Sequence, residues 1–310
     1  MQAERQQLGR HPAVRARRHK RSAHSIRRTR PLVFMLLPAL GFLFAMSVYP
    51  TVRLWQMALS NLNLLRPGQE HFVGLENFGQ IAGDSGVIYA FLYTALFVGV
   101  GVASEFALGL ALALLLRRLR WFQGLVRTAV FLPMVVPPVV VGLTWRLLYD
   151  PDLGMINYLL GLVGVKPIAW LGDPAIARWA IILVDVWEWA PFLAIIYLAG
   201  LQSVPTDLEE AARVDGASAW QQLRGVTLPL LKPILIIGVL FRLIDAIKTF
   251  DLVYTTTKGG PGTTTELFSL KVFDTAFLGF DLGYAAALSA LAVIIVTVAS
   301  GLLLRLMPRG

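Results

Sequence analysis

The sequence of 310 residues contains no cysteine, which excludes a disulfide scaffold, a thiolate metal site and a cysteine nucleophile. Its four histidines all precede the second long apolar segment, so a histidine-based metal or catalytic centre inside a membrane is not expected. Residues 258–262 (KGGPG) do not form a phosphate-binding loop, because the lysine precedes the glycines and no strand-to-helix context surrounds them. We therefore expect no catalytic residue, no metal site and no cofactor bound by this chain.

Charged residues are also scarce, at 15% against roughly 25% in an average soluble protein, whereas 56% of the residues are hydrophobic. The mean hydropathy of +0.64 is typical of a protein that crosses a membrane several times. Apolar segments long enough to span a bilayer lie near residues 32–56, 87–116, 129–149, 175–201, 232–256 and 284–305. The sequence thus predicts an all-α membrane protein with six transmembrane helices.

The basic residues are distributed unevenly around these segments. Of the 28 lysines and arginines, ten lie in residues 1–30. With the N-terminus inside, the inner regions hold 19 of them and the outer loops hold 4, and positive loops are retained in the cytoplasm. Both termini are therefore predicted to be cytoplasmic. A basic tail could bind nucleic acid, but before a membrane helix it typically contacts anionic lipid, so we expect membrane lipid as a partner and no nucleic acid.

One polar stretch, residues 203–233, interrupts the apolar pattern. Its six charges between residues 207 and 224 would oppose membrane insertion by roughly 15 kcal/mol, at about 2.5 kcal/mol each. The stretch must lie outside the lipid, on the cytoplasmic side. Thr206-x-x-Glu209 and Ser218-x-x-Gln221 each have the form of a capping box, and Gly216 after an aspartate favours a turn between them. The sequence predicts a helical hairpin here.

This hairpin resembles the EAA signature of binding-protein-dependent ABC importer permeases of the carbohydrate-importer type. The residues that carry the resemblance, and that would couple the chain to an ATPase, are Glu210, Ala211, Ala212, Asp215, Gly216, Leu223 and Pro229. Leu223 stands where many relatives have phenylalanine, which keeps a bulky apolar side chain. In that family the hairpin is a coupling helix that docks in a cleft of a separate ATPase subunit.

The resemblance implies a type I ABC importer permease fold and a set of partners. These are a second homologous permease, two ABC ATPase subunits that bind ATP and Mg²⁺, and an extracytoplasmic solute-binding protein. The chain would hydrolyse nothing; it would line the path of a sugar or related polyol across a bacterial or archaeal cytoplasmic membrane. Residues 1–30 would be a basic cytoplasmic tail, residues 31–86 the first transmembrane helix and outer loop, and residues 87–306 the permease core.

Several polar side chains lie within the predicted spans, where they are costly and usually face a cavity or one another. Arg242, Asp245, Lys248 and Asp251 recur every three residues, turning by about 60 degrees at each step of a helix. They are expected to line the solute path or to form a self-neutralising ladder against another subunit, and the two roles are compatible.

The fourth predicted span carries a second group of candidates for the solute path. Asp185 and Glu188 would offer acceptors for sugar hydroxyls, and Trp187 an aromatic face. Alternatively, the tryptophan packs against neighbouring helices and the acids pair with Arg146 or with the cations of the fifth span. Glu105 is expected to be a structural, paired acid.

Two other function classes remain open from the sequence. An ion-gradient-driven secondary transporter could use the acids within the membrane as proton sites, although it leaves the EAA-like hairpin unexplained. A membrane-embedded enzyme could use Asp185 and Glu188 as general acid and base, but nothing else in the sequence supplies a nucleophile or a water-activating metal. Uptake or turnover by the isolated chain would distinguish either from a permease subunit.

Overall fold

The computed structural model describes residues 24–119 and 122–307, and these ranges contain helices and loops but no β-strand. The all-α prediction is confirmed. Most of the predicted tail, residues 1–23, lies outside the described ranges. The thirteen α-helices are α1 His24–Ala58, α2 Glu76–Ile81, α3 Ser85–Arg118, α4 Gln123–Phe131, α5 Pro138–Leu148, α6 Met155–Leu162, α7 Pro174–Gln202, α8 Thr206–Val214, α9 Ala219–Gln222, α10 Leu228–Ile247, α11 Asp251–Thr256, α12 Phe268–Phe273 and α13 Leu282–Leu304.

The described residues divide between Val52 and Arg53 into two units. The first contains most of α1, which starts within the predicted basic tail and whose segment Met35–Ala58 is apolar and long enough to cross a membrane. The second unit contains all the other helices.

Within the described ranges, four helices are both long and apolar enough to span a bilayer, so the count of six uninterrupted spans is not confirmed. They are Met35–Ala58 of α1, then α3, α7 and α13. The third and fifth predicted spans are each divided into two helices. Helix α10 has 20 residues, which is long enough to cross a bilayer, but it carries three charged residues: one lysine, one arginine and one aspartate.

The third predicted span is broken into two helices. Helix α4 is followed by a 3₁₀ turn, Pro133–Val135, and α5 begins only at Pro138. Proline lacks the N–H that would continue a helical hydrogen-bond ladder and restricts the residue before it to extended conformations. Pro137 accordingly has ψ 138° and separates the two helices.

The fifth predicted span is also broken, and here the prediction of one helix over 232–256 is wrong. Helix α10 ends at Ile247, and Lys248 closes its last turn by donating its N–H to the Asp245 carbonyl at 2.9 Å. Helix α11 begins at Asp251. The hydroxyl of Ser269 donates to the Thr249 carbonyl at 2.5 Å, which satisfies a backbone group that the break exposes.

The core of the second unit is built around α3 and α7, which form its most extensive helix pair. Phe97 of α3 and Ile181 of α7 are fully buried in one apolar cluster between these helices. A second cluster contains Leu193 and Tyr197 of α7 with Leu231 of α10. These contacts hold α3, α7 and α10 as three neighbouring helices, and the polar residues discussed next lie between them.

Candidate coupling hairpin and intramembrane charge cluster

The polar stretch forms the helical hairpin that the sequence predicts. Helices α8 and α9 are joined by residues 215–218. Gly216 has φ +81°, a conformation that costs an L-residue with a Cβ about 1–2 kcal/mol. The Ala217 N–H donates to the Ala212 carbonyl at 2.9 Å and the Gly216 N–H to the Arg213 carbonyl at 3.0 Å, which terminates α8 in the manner of a glycine C-cap.

Of the two predicted capping boxes, one is present and one is not. Ser218 caps α9: its hydroxyl accepts from the Gln221 N–H at 3.3 Å, and the Gln221 side chain accepts from the Ser218 N–H at 2.8 Å. The box at Thr206 is wrong, because α8 follows Pro205 without a side-chain cap. Glu209, which would have completed that box, turns towards α3 instead.

Glu209 binds the C-terminal end of α3 through Arg117. The two guanidinium nitrogens Nη1 and Nη2 donate to Oε1 and Oε2, each at 2.8 Å, and the Thr227 hydroxyl donates to Oε1 at 3.1 Å. The guanidinium gives the Glu209 carboxylate two bonds from a cation, whereas the capping box would give it one bond from a neutral backbone N–H, which accounts for the failed capping box. The bond to Arg117, followed by the Arg117 charge and the Thr227 bond, lowers the pKa of Glu209 although its partial burial opposes this.

Because the pKa of Glu209 is lowered in the folded chain, its ion pair stabilises the fold fully above the unfolded pKa of about 4.3. The contribution is lost as the pH falls through the lower, folded pKa. We expect the stability difference between the parent chain and Glu209→Gln to be constant from pH 8 to about pH 5 and to shrink under more acidic conditions. Thermal unfolding in detergent at each pH measures this difference. A difference that grows on acidification would contradict the assignment.

The sequence singled out Glu210 of this segment and missed Glu209. Glu210 is exposed, whereas Glu209 is buried between α8, α3 and the π-helical segment Leu223–Thr227. The exposed surface of the hairpin also includes Ala211, Asp215 and Gly216 of the motif, and Ala212 and Leu223 are half-buried. Pro229, at the start of α10, is exposed as well. Most side chains of the motif are therefore exposed, with three large exposed apolar residues beside them: Leu208, Val214 and Trp220.

A buried charge cluster connects α3, α7 and α10 within the membrane-spanning part of the bundle. Arg242 is fully buried. Its Nε lies 2.7 Å from Glu105 Oε2, its Nη2 bonds the Asp185 carboxylate, and its Nη1 donates to Asp245 Oδ2 at 3.2 Å. The ring of Trp189 covers the guanidinium at 5.1 Å. Glu105 is thus a paired acid, and Asp185 pairs with a cation of the fifth predicted span rather than with Arg146.

Beside this cluster lies a small polar cavity of about 110 Å³, to which Asp185, Glu188, Asp245, Lys248 and Asp251 contribute. Glu188 is 1% exposed, and neither of its carboxylate oxygens has a hydrogen-bond partner among the described residues. Ligand pockets usually measure about 300–1,000 Å³. In this conformation the cavity has room for a few water molecules but not for a sugar.

The predicted charged stripe is not continuous, which corrects the interpretation of a single winding ladder. Arg242 and Asp245 belong to α10, Lys248 caps its end, and Asp251 starts α11. Lys248 and Asp251 are exposed beside the cavity rather than stacked along one helix. Together with the helix break, the cavity thus brings five of the predicted path residues around one space: Asp185, Glu188, Asp245, Lys248 and Asp251.

Two of the residues proposed for the solute path lie apart from this cavity. Arg146 of α5 is exposed and has no ion pair within the part of the chain that the structure describes. Trp187 is half-exposed and packs edge-on against Trp145 at 5.3 Å between ring centroids. The packing of this tryptophan on a neighbouring helix agrees with the structural alternative. In residues 24–119 and 122–307, no group of three or more histidine, aspartate or glutamate side chains is arranged to hold a metal ion.

The sequence of the chain matches a known protein family. The model of the family described as "Binding-protein-dependent transport system inner membrane component" matches residues 105–309, which is more than half of the chain. The chain belongs to this family. As in its relatives, it is a multi-pass integral membrane permease subunit and a non-catalytic component of an ABC transporter.

Individual relatives extend the similarity over nearly the whole permease. This chain is 38% identical over 262 residues to the trehalose/maltose transport system permease protein of Thermococcus litoralis, and the alignment covers 84% of this chain and 88% of that protein. A solved permease chain of a bacterial ABC transporter involved in the import of the acidic polysaccharide alginate has a TM-score of 0.79 and 25% identity, covering 92% of this chain and 99% of its own. The same fold is found in the alginate transporter solved with an alginate pentasaccharide-bound periplasmic protein, with a TM-score of 0.79 and 24% identity over 90% of this chain and 94% of its own.

Proposed function

We propose that this permease forms, with a second homologous permease, the translocation path of an ATP-driven importer for a sugar or related polyol. The hairpin carries the proposal: it combines the EAA-like residues with an exposed, partly apolar surface and lies outside the spanning helices. Two ABC ATPase subunits would dock there. They would bind ATP and Mg²⁺, because no phosphate-binding motif occurs in this sequence.

The solute class follows from the relatives rather than from the cavity. The permease of Thermococcus litoralis is named for trehalose and maltose, and the solved neighbour for alginate, so both belong to importers of carbohydrates. The second alginate structure contains a loaded periplasmic protein, which supports an extracytoplasmic solute-binding protein as a partner here. The asymmetry of 19 inner to 4 outer basic residues supports cytoplasmic termini and a cytoplasmic hairpin.

Transport would follow from alternating access. ATP binding draws the ATPase subunits and the attached hairpins together, and hydrolysis releases them, so nucleotide binding favours one of two bundle conformations over the other. The small cavity beside Glu188 belongs to the closed side of such a cycle. Asp185, Glu188, Asp245, Lys248 and Asp251 would line the path when it widens, whereas Arg146 and Trp187 would have to reach it by a movement of α5 and α7.

Gly216→Ala tests the coupling role of the hairpin. Alanine at φ +81° costs about 1–2 kcal/mol in the native turn, which distorts the surface that would enter the ATPase. In the assembled complex, we expect the stimulation of ATP hydrolysis by the solute-loaded binding protein to fall about tenfold or more. Glu210→Ala tests the exposed carboxylate in the same assay.

Gly225→Ala is the matched control. Gly225 follows the same hairpin, has no positive φ, and has open space around an added Cβ. Its variant should retain stimulation and transport. If Gly216→Ala and Glu210→Ala transport as well as this control, the coupling assignment is wrong. Uptake by the isolated permease under a proton gradient, without ATP, would instead establish a secondary transporter.

A further inference from the structure

We propose that the ion pair between Arg117 and Glu209 is the mechanical link through which the hairpin moves α3. This proposal rests on the proposed coupling function of the hairpin. It adds the path by which a movement of the hairpin passes through this chain. Arg117 and Glu209 are positioning residues, because they contact neither the solute nor the nucleotide. No residue of this link belongs to the EAA-like pattern.

The link is attached at both of its ends. On the hairpin side, Glu209 is buried in the middle of α8, where its backbone carbonyl also accepts from the Gln222 side chain at 3.2 Å. On the bundle side, Arg117 lies in the last turn of α3, and its guanidinium makes both of its bonds to one carboxylate. A planar bidentate pair fixes distance and orientation together, which a single charge contact does not do. Thr227 adds a third point, just before α10 begins.

The remainder of α8 offers no comparable attachment to α3. Its neighbours on the helix, Leu208 and Glu210, are exposed, and α8 packs on α9 and on the π-helical segment Leu223–Thr227. Among the described residues, the Arg117–Glu209 pair is thus the direct side-chain attachment of α8 to α3, in addition to the indirect routes through α7 and α10.

Helix α3 then connects this pair to the buried charge cluster. It runs without interruption from Ser85 to Arg118, and Glu105 lies on it twelve residues before Arg117, about 18 Å along the axis at 1.5 Å per residue. Glu105 pairs with Arg242, which also holds Asp185 beside the polar cavity. Because Arg117 and Glu105 belong to one continuous helix, a shift of α3 at Arg117 would also move Glu105 and the residues that border the cavity.

Charge exchange in the assembled complex tests the link. We expect Arg117→Glu and Glu209→Arg each to reduce binding-protein-stimulated ATP hydrolysis and transport about tenfold, with the ATPase subunits still bound. The double variant reverses the pair and should recover most of the stimulation. Arg117→Lys keeps the charge without the planar fork and should give an intermediate value. Arg118→Glu, a charge reversal at the next and exposed position of α3, is the matched control and should retain stimulation.

A second experiment does not depend on tolerance of reversed charges. The chain contains no native cysteine, so Arg117→Cys with Glu209→Cys creates a unique pair of thiols. Without a linker, this variant should lose binding-protein-stimulated ATP hydrolysis and transport poorly; joining the two thiols with a short bis-reactive linker should restore both. Each single cysteine variant, treated with the same reagent, controls for simple modification.

The outcomes separate this inference from the function on which it rests. If Gly216→Ala uncouples the complex while the Arg117 and Glu209 variants all transport normally, the hairpin couples by another route and the link is wrong. If the linked cysteine pair stays as uncoupled as the unlinked one, the link is likewise wrong. If Gly216→Ala itself transports normally, the proposed function fails first.

Discussion

Replacing Arg242 with methionine is expected to destabilise the permease by about 3–5 kcal/mol, the usual cost of removing one partner from a buried ion pair. The substitution leaves the carboxylates of Glu105 and Asp185 buried without their shared cation. Methionine has a similar length and is apolar, so the loss comes from charge and hydrogen bonding rather than from a large void. The unfolding temperature of the detergent-purified complex should fall markedly, and less chain should be recovered from membranes.

The same helix supplies the control for this prediction. Lys232 lies one turn inside α10, is exposed, and has no ion pair in the described ranges, so Lys232→Met should leave the unfolding temperature almost unchanged. Adding Glu105→Gln and Asp185→Asn to Arg242→Met removes the uncompensated charges and should recover part of the stability. An Arg242→Met protein that unfolds at the parent temperature would show that the cluster is solvated rather than buried.

The second large effect is expected at Gly109, where α3 and α7 come closest together. A Cβ added there would lie 2.8 Å from the Leu193 Cβ and 3.0 Å from the Ala190 carbonyl oxygen. Both atoms belong to the body of α7 and cannot rotate away, so the helices themselves must separate. Gly109→Ala should therefore cost about 1–3 kcal/mol, as overpacking of a close interface does, and Gly109→Leu should prevent assembly.

Gly99 provides a matched position on the same helix. An added Cβ there meets no atom within 4 Å, so Gly99→Ala should be neutral or stabilise α3 by up to about 1 kcal/mol through helix propensity. Heating detergent extracts and measuring the fraction of intact permease by size-exclusion chromatography compares the two variants. Equal retention would show that α3 and α7 are not packed as closely as the structure has them.

The charge cluster and the close α3–α7 contact at Gly109 share helix α3. Gly109 and Glu105 are both on α3, four residues apart, and both face α7. The close approach that a glycine permits brings Glu105 within reach of the Arg242 guanidinium that Asp185 of α7 also binds. We therefore expect Gly109→Ala to weaken the cluster as well as the apolar packing, and its effect should not add simply to that of Arg242→Met.

The sequence by itself determined the class of the protein, the position of four spanning helices and the hairpin. These features depend on local quantities, namely the length of an apolar run, the cost of charges in lipid and the preference of glycine for a left-handed turn. The EAA-like residues identified the family for the same reason: they lie close together in the sequence and do not depend on which helices become neighbours.

Only the tertiary structure decided which polar groups meet. A helical period could not show that Lys248 and Asp251 would be separated by a break, because that break is stabilised by Ser269, a residue distant in the sequence. Nor could the pattern at the hairpin show that Glu209 would leave its expected cap for Arg117, ninety-two residues away. Ion pairing selects partners by distance in space, and a sequence specifies this distance only after the chain has folded.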